Sequence, residues 1–123
     1  MTIYEAITRL DGEKHNTCPT ARKIAWLSQL DAMVKTQILS GYEEGDSVCC
    51  TDYCDTTPGN LVLLVPAPFD EMYLRWLEAR VDYESGEIDR YNNAMDIFHA
   101  LWDAYRNHYN ATHRARNVKI SYM

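Results

Sequence analysis

Between Ile88 and Tyr109 the large apolar side chains fall at Ile88, Tyr91, Met95, Phe98, Trp102, Tyr105 and Tyr109. The gaps alternate between three and four residues without a break, which sets these side chains in one seam along a long α-helix. The seam is mostly aromatic. A helix carrying this much ring surface has to bury it, and what it is buried against constrains the fold more than any other feature.

At about 100° per residue, Ala94, Ile97, Leu101 and Ala104 form a second line beside the seam. Together the two lines cover roughly 200°, twice the stripe of a surface helix packed on one side. The opposite strip, Asn92, Asp96, His99, Asp103 and Asn110, is wholly polar. The helix is therefore expected to be contacted from two directions. The second contact would come from an earlier helix of the chain or from a neighbouring subunit.

Upstream, Pro66-Ala67-Pro68 imposes an extended segment and then a helix start, with Asp70 and Glu71 placed to suit the helix dipole. Phe69, Tyr73, Trp76, Leu77 and Val81 form an apolar face, flanked by Met72 and Tyr83. Ser85-Gly86 interrupts this helix. Aromatic residues on both sides of the break predict an antiparallel hairpin over about 68–112 rather than a kink, because each seam then covers the other.

In the first half, Thr2 and Glu5 have capping-box spacing, and Ile3, Ile7 and Leu10 share a face; Asp11-Gly12 is expected to end that helix. A second helix is expected from about Pro19 to Leu39, burying Ile24, Leu27, Leu30, Val34 and Ile38, with Trp26 and Met33 widening the face. Residues 41–60 read as a long acidic, cysteine-containing loop. Leu61–Val65 is a short apolar run, an extended segment or brief strand, which as a strand would need a partner from the loop or from another subunit. The expected fold is a single mainly α domain over 1–123: a small bundle of three to four helices, with a short strand or an extended segment near 61–65 and a basic tail at 113–123.

Several functional classes are disfavoured. No twenty-residue apolar run is present, and the N-terminus lacks a secretory pattern, so the expected setting is cytosolic and off the membrane. The net charge of -6 argues against a general nucleic-acid coat. After Asp103 only Arg106, Arg114, Arg116 and Lys119 carry charge, so a short basic tail follows an acidic body; it is either a solubilising terminus or a contact for an acidic patch on another subunit. Cys49, Cys50 and Cys54 with the distant Cys18 lack paired zinc-ligand spacing, and Glu43, Glu44 and Asp46 lack that of a calcium loop. Asp96, His99, Asp103 and Arg106 read as a solvated ladder, and His108 and His113 as surface histidines. No nucleophile elbow, P-loop or H-E-x-x-H pattern appears, and the faint tetratricopeptide echo at Tyr83, Gly86 and Tyr91 has no second copy. No catalytic residue, metal ligand or cofactor is expected.

Four strings carry a resemblance in their order along the chain: Trp26-Leu27-Ser28-Gln29-Leu30-Asp31; Leu63-Leu64-Val65-Pro66-Ala67-Pro68-Phe69-Asp70 with Tyr73 after it; Tyr91-Asn92-Asn93; and Thr112-His113. With these the chain resembles small proteins of the head-morphogenesis modules of tailed phages and prophages of Gram-positive bacteria, a group similar to the head–tail connector, or adaptor, proteins. The Cys49–Cys54 loop lies outside the likeness. The resemblance implies a small helical domain, copies of which form a ring between portal and tail around the passage for DNA, with no catalysis and no cofactor.

The reading is then a non-enzymatic assembly protein whose partners are copies of itself and the portal and tail-side connector proteins. DNA would pass nearby without specific binding. The protein would occupy the host cytoplasm during assembly and afterwards the head–tail junction of the virion. The alternative is a cytosolic helical adaptor whose aromatic hairpin captures a partner helix; a cysteine/histidine metal-binding regulator is a weaker third. The residues expected to matter are packing and interface residues: Trp26, Tyr73, Trp76, Tyr91, Phe98, Trp102 and Tyr105 in the helices, and Pro66, Pro68 and Phe69 in a docked extended segment.

Overall fold

A computed structural model describes residues 1–39, 53 and 57–112. The chain is mainly helical: α1 (Ile3–Glu13), α2 (Thr20–Val34) running into a π-helical turn (Lys35–Leu39), α3 (Glu71–Glu84) and α4 (Ile88–Thr112). The loop acids Glu43, Glu44 and Asp46, the cysteines Cys49, Cys50 and Cys54, and the tail with His113, Arg114, Arg116 and Lys119 lie outside the described residues.

The central element is α3, which packs against α1, α2 and α4, whereas the helical neighbours of α4 among the described residues are α3 and the π-helical turn. The sequence of α3 suits that place. Met72, Tyr73, Leu74, Trp76, Leu77, Ala79 and Val81 are all buried, so apolar side chains encircle most of the helix. Tyr83, expected to flank the buried face, is instead exposed at the hairpin tip.

The hairpin is antiparallel, and its rings fix the register. Tyr83 meets Tyr91, Trp76 meets Phe98, and Phe69 meets Tyr105, at centroid separations of 5.4, 5.2 and 5.5 Å. Each pair lies seven residues further down one limb and seven further up the other, two helical turns per step. The limbs reverse at Ser85-Gly86, where Gly86 adopts φ 76°, a left-handed conformation that glycine enters without the usual steric cost.

In α1 the capping box is formed: Glu5 N–H donates to the Thr2 hydroxyl oxygen, and Thr2 N–H donates to the Glu5 carboxylate. The expected stop at Asp11-Gly12 does not occur. The helix runs on to Glu13, and Lys14 N–H still donates to Leu10 O at 2.8 Å. One glycine costs a helix only about 1 kcal/mol, which the burial of Ile3, Ala6, Ile7 and Leu10 outweighs.

The expected strand at 61–65 is reduced to one antiparallel bridge, Thr2 to Val62. That bridge is made to the chain's own N-terminus: Ile3 N–H donates to Leu61 O and Leu63 N–H to Met1 O. Leu63 and Val65 are buried there, whereas Pro66 and Pro68 are exposed, so the docked part of the segment precedes the prolines. The Ala67–Pro68 peptide bond is cis.

The two lines on α4 have different fates. Phe98, Trp102, Tyr105 and Tyr109 are buried, with Tyr91 and Met95 half-buried; Ile88, the first seam residue, is exposed. In the second line Ala94 is buried and Leu101 half-buried, but Ala104 is exposed and Ile97 is 48% exposed. Among the described residues neither α1 nor α2 packs on α4, whose helical neighbours are α3 and the π-helical turn.

Candidate functional site: a buried carboxylate and the surfaces around it

The most unusual group in the core is Asp31, which is 0% exposed. It occupies an apolar position of α2, four residues after Leu27 and three before Val34, both of which are buried with it. Tyr53 Oη donates to its Oδ2 at 2.5 Å, Tyr73 Oη donates to its Oδ1 at 2.6 Å, and Leu64 N–H donates to Oδ2 at 3.3 Å. Tyr73 Oη in turn accepts from Val65 N–H at 2.8 Å. One carboxylate thus ties α2 to the loop residue Tyr53, to the extended segment and to α3.

Among the described residues no cation bonds the Asp31 carboxylate. Burial pushes Asp31 above the ordinary carboxylate range, and the hydrogen bonds from Tyr53, Tyr73 and Leu64 only partly offset this. Burial, and then the neighbouring Asp31 charge, raise the Tyr73 phenol well above its usual value. Burial pushes Tyr105 up to about 12, with smaller contributions from Tyr109 and Asp31. Among the described residues the carboxylate is held by phenols and backbone and closed off from solvent. Its arrangement suits fixing one packing rather than acid–base chemistry.

Other polar contacts are of the same structural kind. Trp76 Nε1–H donates to Trp26 O at 2.9 Å, joining α3 to α2, with Trp26 itself half-buried. Lys14 reaches the buried Asp82 at 2.8 Å, and the buried Lys23 reaches Asp11 at 2.6 Å. Every buried side-chain nitrogen or oxygen among the described residues has a hydrogen-bond partner.

Clefts open on the surface, two of them among the described residues near the helix ends and the α4 flank. One, of about 390 Å³, lies between the α1–α2 connector and the end of α3; it is lined by His15, Cys18, Arg22 and Glu84 among others and crossed by an Arg22–Glu84 ion pair. The other, of about 230 Å³, runs beside the second line of α4, between Glu78, Asp82, Arg90, Ala94 and Ile97. Among the described residues no group of three or more His, Cys, Asp or Glu side chains is placed to hold a metal ion, and no helix is long and apolar enough to cross a membrane. Asp96, His99 and Asp103 are exposed, and Arg106 pairs with Asp103 at 3.1 Å. His108 is exposed but stacks on Phe69 with centroids 5.0 Å apart.

The residues singled out from sequence mostly gather in one place. Tyr73, Trp76, Phe98, Trp102 and Tyr105 are buried in the core, and the half-buried Phe69 closes its end on Tyr105. Pro66 and Pro68 do not join them. Asp31 was not among them, although it lies within one of the strings that carry the resemblance. The available signal was a charged residue in the middle of the helix's apolar stripe, which a buried, partnered role explains. Comparison with known proteins finds no matching family model, curated protein or solved structure.

Proposed function

We propose that this chain is a non-enzymatic assembly subunit that associates with copies of itself, in the manner of the phage head–tail connector proteins its sequence resembles. The observation that carries the reading is the partly exposed second line of α4. Ile97 and Ala104 are exposed and Leu101 is half-buried, on a helix whose aromatic face is already satisfied inside the subunit. A ring needs two different contact surfaces, because head-to-tail contacts are heterologous. The hairpin tip, with exposed Tyr83 and Ile88, supplies apolar groups distinct from that flank. In the connector reading the outer partners are the portal and tail-side proteins, and the protein moves from host cytoplasm to virion.

The aromatic hairpin gives no support to the adaptor reading. Phe98, Trp102, Tyr105 and Tyr109 are buried against their own chain and are not available to capture a partner helix.

Light scattering with negative-stain imaging tests the proposal, with the protein alone and mixed with portal-bearing heads. Closed rings are expected, and Ile97→Lys is expected to abolish them while leaving the helical fold intact. Particles never larger than a dimer under either condition would refute it.

A further inference from the structure

The bridge between Thr2 and Val62 has a free side. Its hydrogen bonds run from Ile3 N–H to Leu61 O and from Leu63 N–H to Met1 O, so Thr2 and Val62 are a non-hydrogen-bonded pair. In such a pair the N–H and C=O of Val62 point away from Thr2, toward the outer edge. Neither group finds a partner among the described residues. The Val62 side chain is 67% exposed, and Leu61 and Tyr4 beside it are also exposed.

We propose that this edge is the docking surface for a second copy of the chain, paired antiparallel about a two-fold axis through Val62. Three features favour that occupant. An antiparallel edge is complementary to itself: Val62 of each copy would exchange both backbone hydrogen bonds with Val62 of the other. The edge also lacks the usual protection, since Asn60–Leu64 carries neither charge nor proline, the devices that keep solvent-facing edges apart. Finally, the described residues hold no other extended segment facing the edge that could cover it within the subunit. The contact is short. Leu64 N–H is committed to Asp31, so the new ladder cannot extend past Val62 on that side. An interface of this kind falls among the small, weakly associating ones. It uses neither the α4 flank nor the hairpin tip, so it stands apart from the ring reading.

Sedimentation equilibrium of the full chain from roughly 1 µM to 1 mM tests the contact, a range that brackets weak association. With the α4 flank blocked by Ile97→Lys, so that no ring forms, a reversible monomer–dimer equilibrium is expected, and the Val62 changes are made in that parent chain. Val62→Pro removes a donor that no intrachain bond uses, and Val62→Lys adds an edge charge. Each should weaken dimerisation at least about tenfold while leaving the circular dichroism spectrum and unfolding midpoint close to the parent's. The proposal is overturned if the parent stays monomeric throughout, or if the Val62 variants associate as tightly as the parent. It is equally overturned if the full chain is monomeric but a chain ending at Thr112 dimerises, since the tail would then be the occupant.

Discussion

Replacing Asp31 by alanine removes the acceptor shared by Tyr53, Tyr73 and Leu64 N–H. The hydroxyl of Tyr73 is the costly orphan, because that side chain is fully buried; a buried unpaired group costs about 1–3 kcal/mol. Tyr53 sits at the margin of burial and Leu64 is half-buried, so water can partly replace their lost acceptor, and together they add about 1 kcal/mol. The net expectation is a loss of about 2–4 kcal/mol, a large fraction of the 5–15 kcal/mol typical of a whole domain. Urea unfolding at pH 7, followed by the helical signal, measures it as a lower midpoint. A double-mutant cycle with Tyr73→Phe then asks whether the two groups act on each other. Their contact at 2.6 Å predicts strongly non-additive losses, with a coupling of about 1–2 kcal/mol. Additive losses, or an Asp31→Ala cost below about 1 kcal/mol, would refute the claim that this carboxylate organises the core.

Three further outcomes follow from the same coordinates. The folded state holds the Asp31 proton more tightly than the unfolded chain, whose carboxyl has a value near 3.8. The difference in stability between the parent and Asp31→Asn should therefore favour the parent most below that pH, decline as pH rises through the raised value, and level off above it; calorimetry showing the opposite slope would contradict the burial argument. Phe98→Ala empties the centre of the aromatic hairpin beside Trp76 and Trp102 and should cost about 3–5 kcal/mol by chemical denaturation. Gly86→Ala should cost about 1–2 kcal/mol, and Gly86→Asn less, because a Cβ there meets no atom within 4 Å and the penalty is that of the left-handed backbone alone.

Periodicity made the helices and the hairpin legible, since the apolar gaps at Leu27, Leu30, Val34 and Ile38 and along Phe98, Trp102, Tyr105 and Tyr109 report directly which face is buried. It located the second line on α4 but not its cover, because a stripe says that a surface is apolar and not what lies opposite. The partner of Leu61–Leu63 was hidden for a different reason. The pairing joins residues some sixty positions apart in sequence, and nothing in Met1–Tyr4, which also reads as a helix start, marks it as half of a bridge. Gly12 was over-weighted as a helix breaker because its cost is local, while the burial of Ile7 and Leu10 that carries α1 past it is tertiary. The hub at Asp31 draws its donors from three separate segments, so no local pattern could assemble it.

The seven-residue spacing of the ring pairs raises the question of what selects the hairpin's register. Sliding α4 by two turns against α3 would bring Phe98 opposite Tyr83 and Tyr105 opposite Trp76, again ring on ring. Apolar burial alone therefore discriminates weakly among such registers, as it does in any heptad seam. The short turn at Ser85-Gly86 excludes large slips by length. The rest of the specificity comes from polar contacts that cannot be made elsewhere. Trp76 Nε1–H has its acceptor at Trp26 O, and Tyr73 Oη bridges Val65 N–H and Asp31. These fix the height of α3 on α2, and the ring pairs then fix α4 on α3. Between α3 and α4 the rings carry the repeated contacts, and the buried polar groups supply uniqueness. This is why removing Asp31 should do more than lower stability: the Asp31→Ala core should lose near-UV circular dichroism from its clustered aromatics before it loses helical signal, and a variant that kept both until a single cooperative transition would show that the rings alone define the packing.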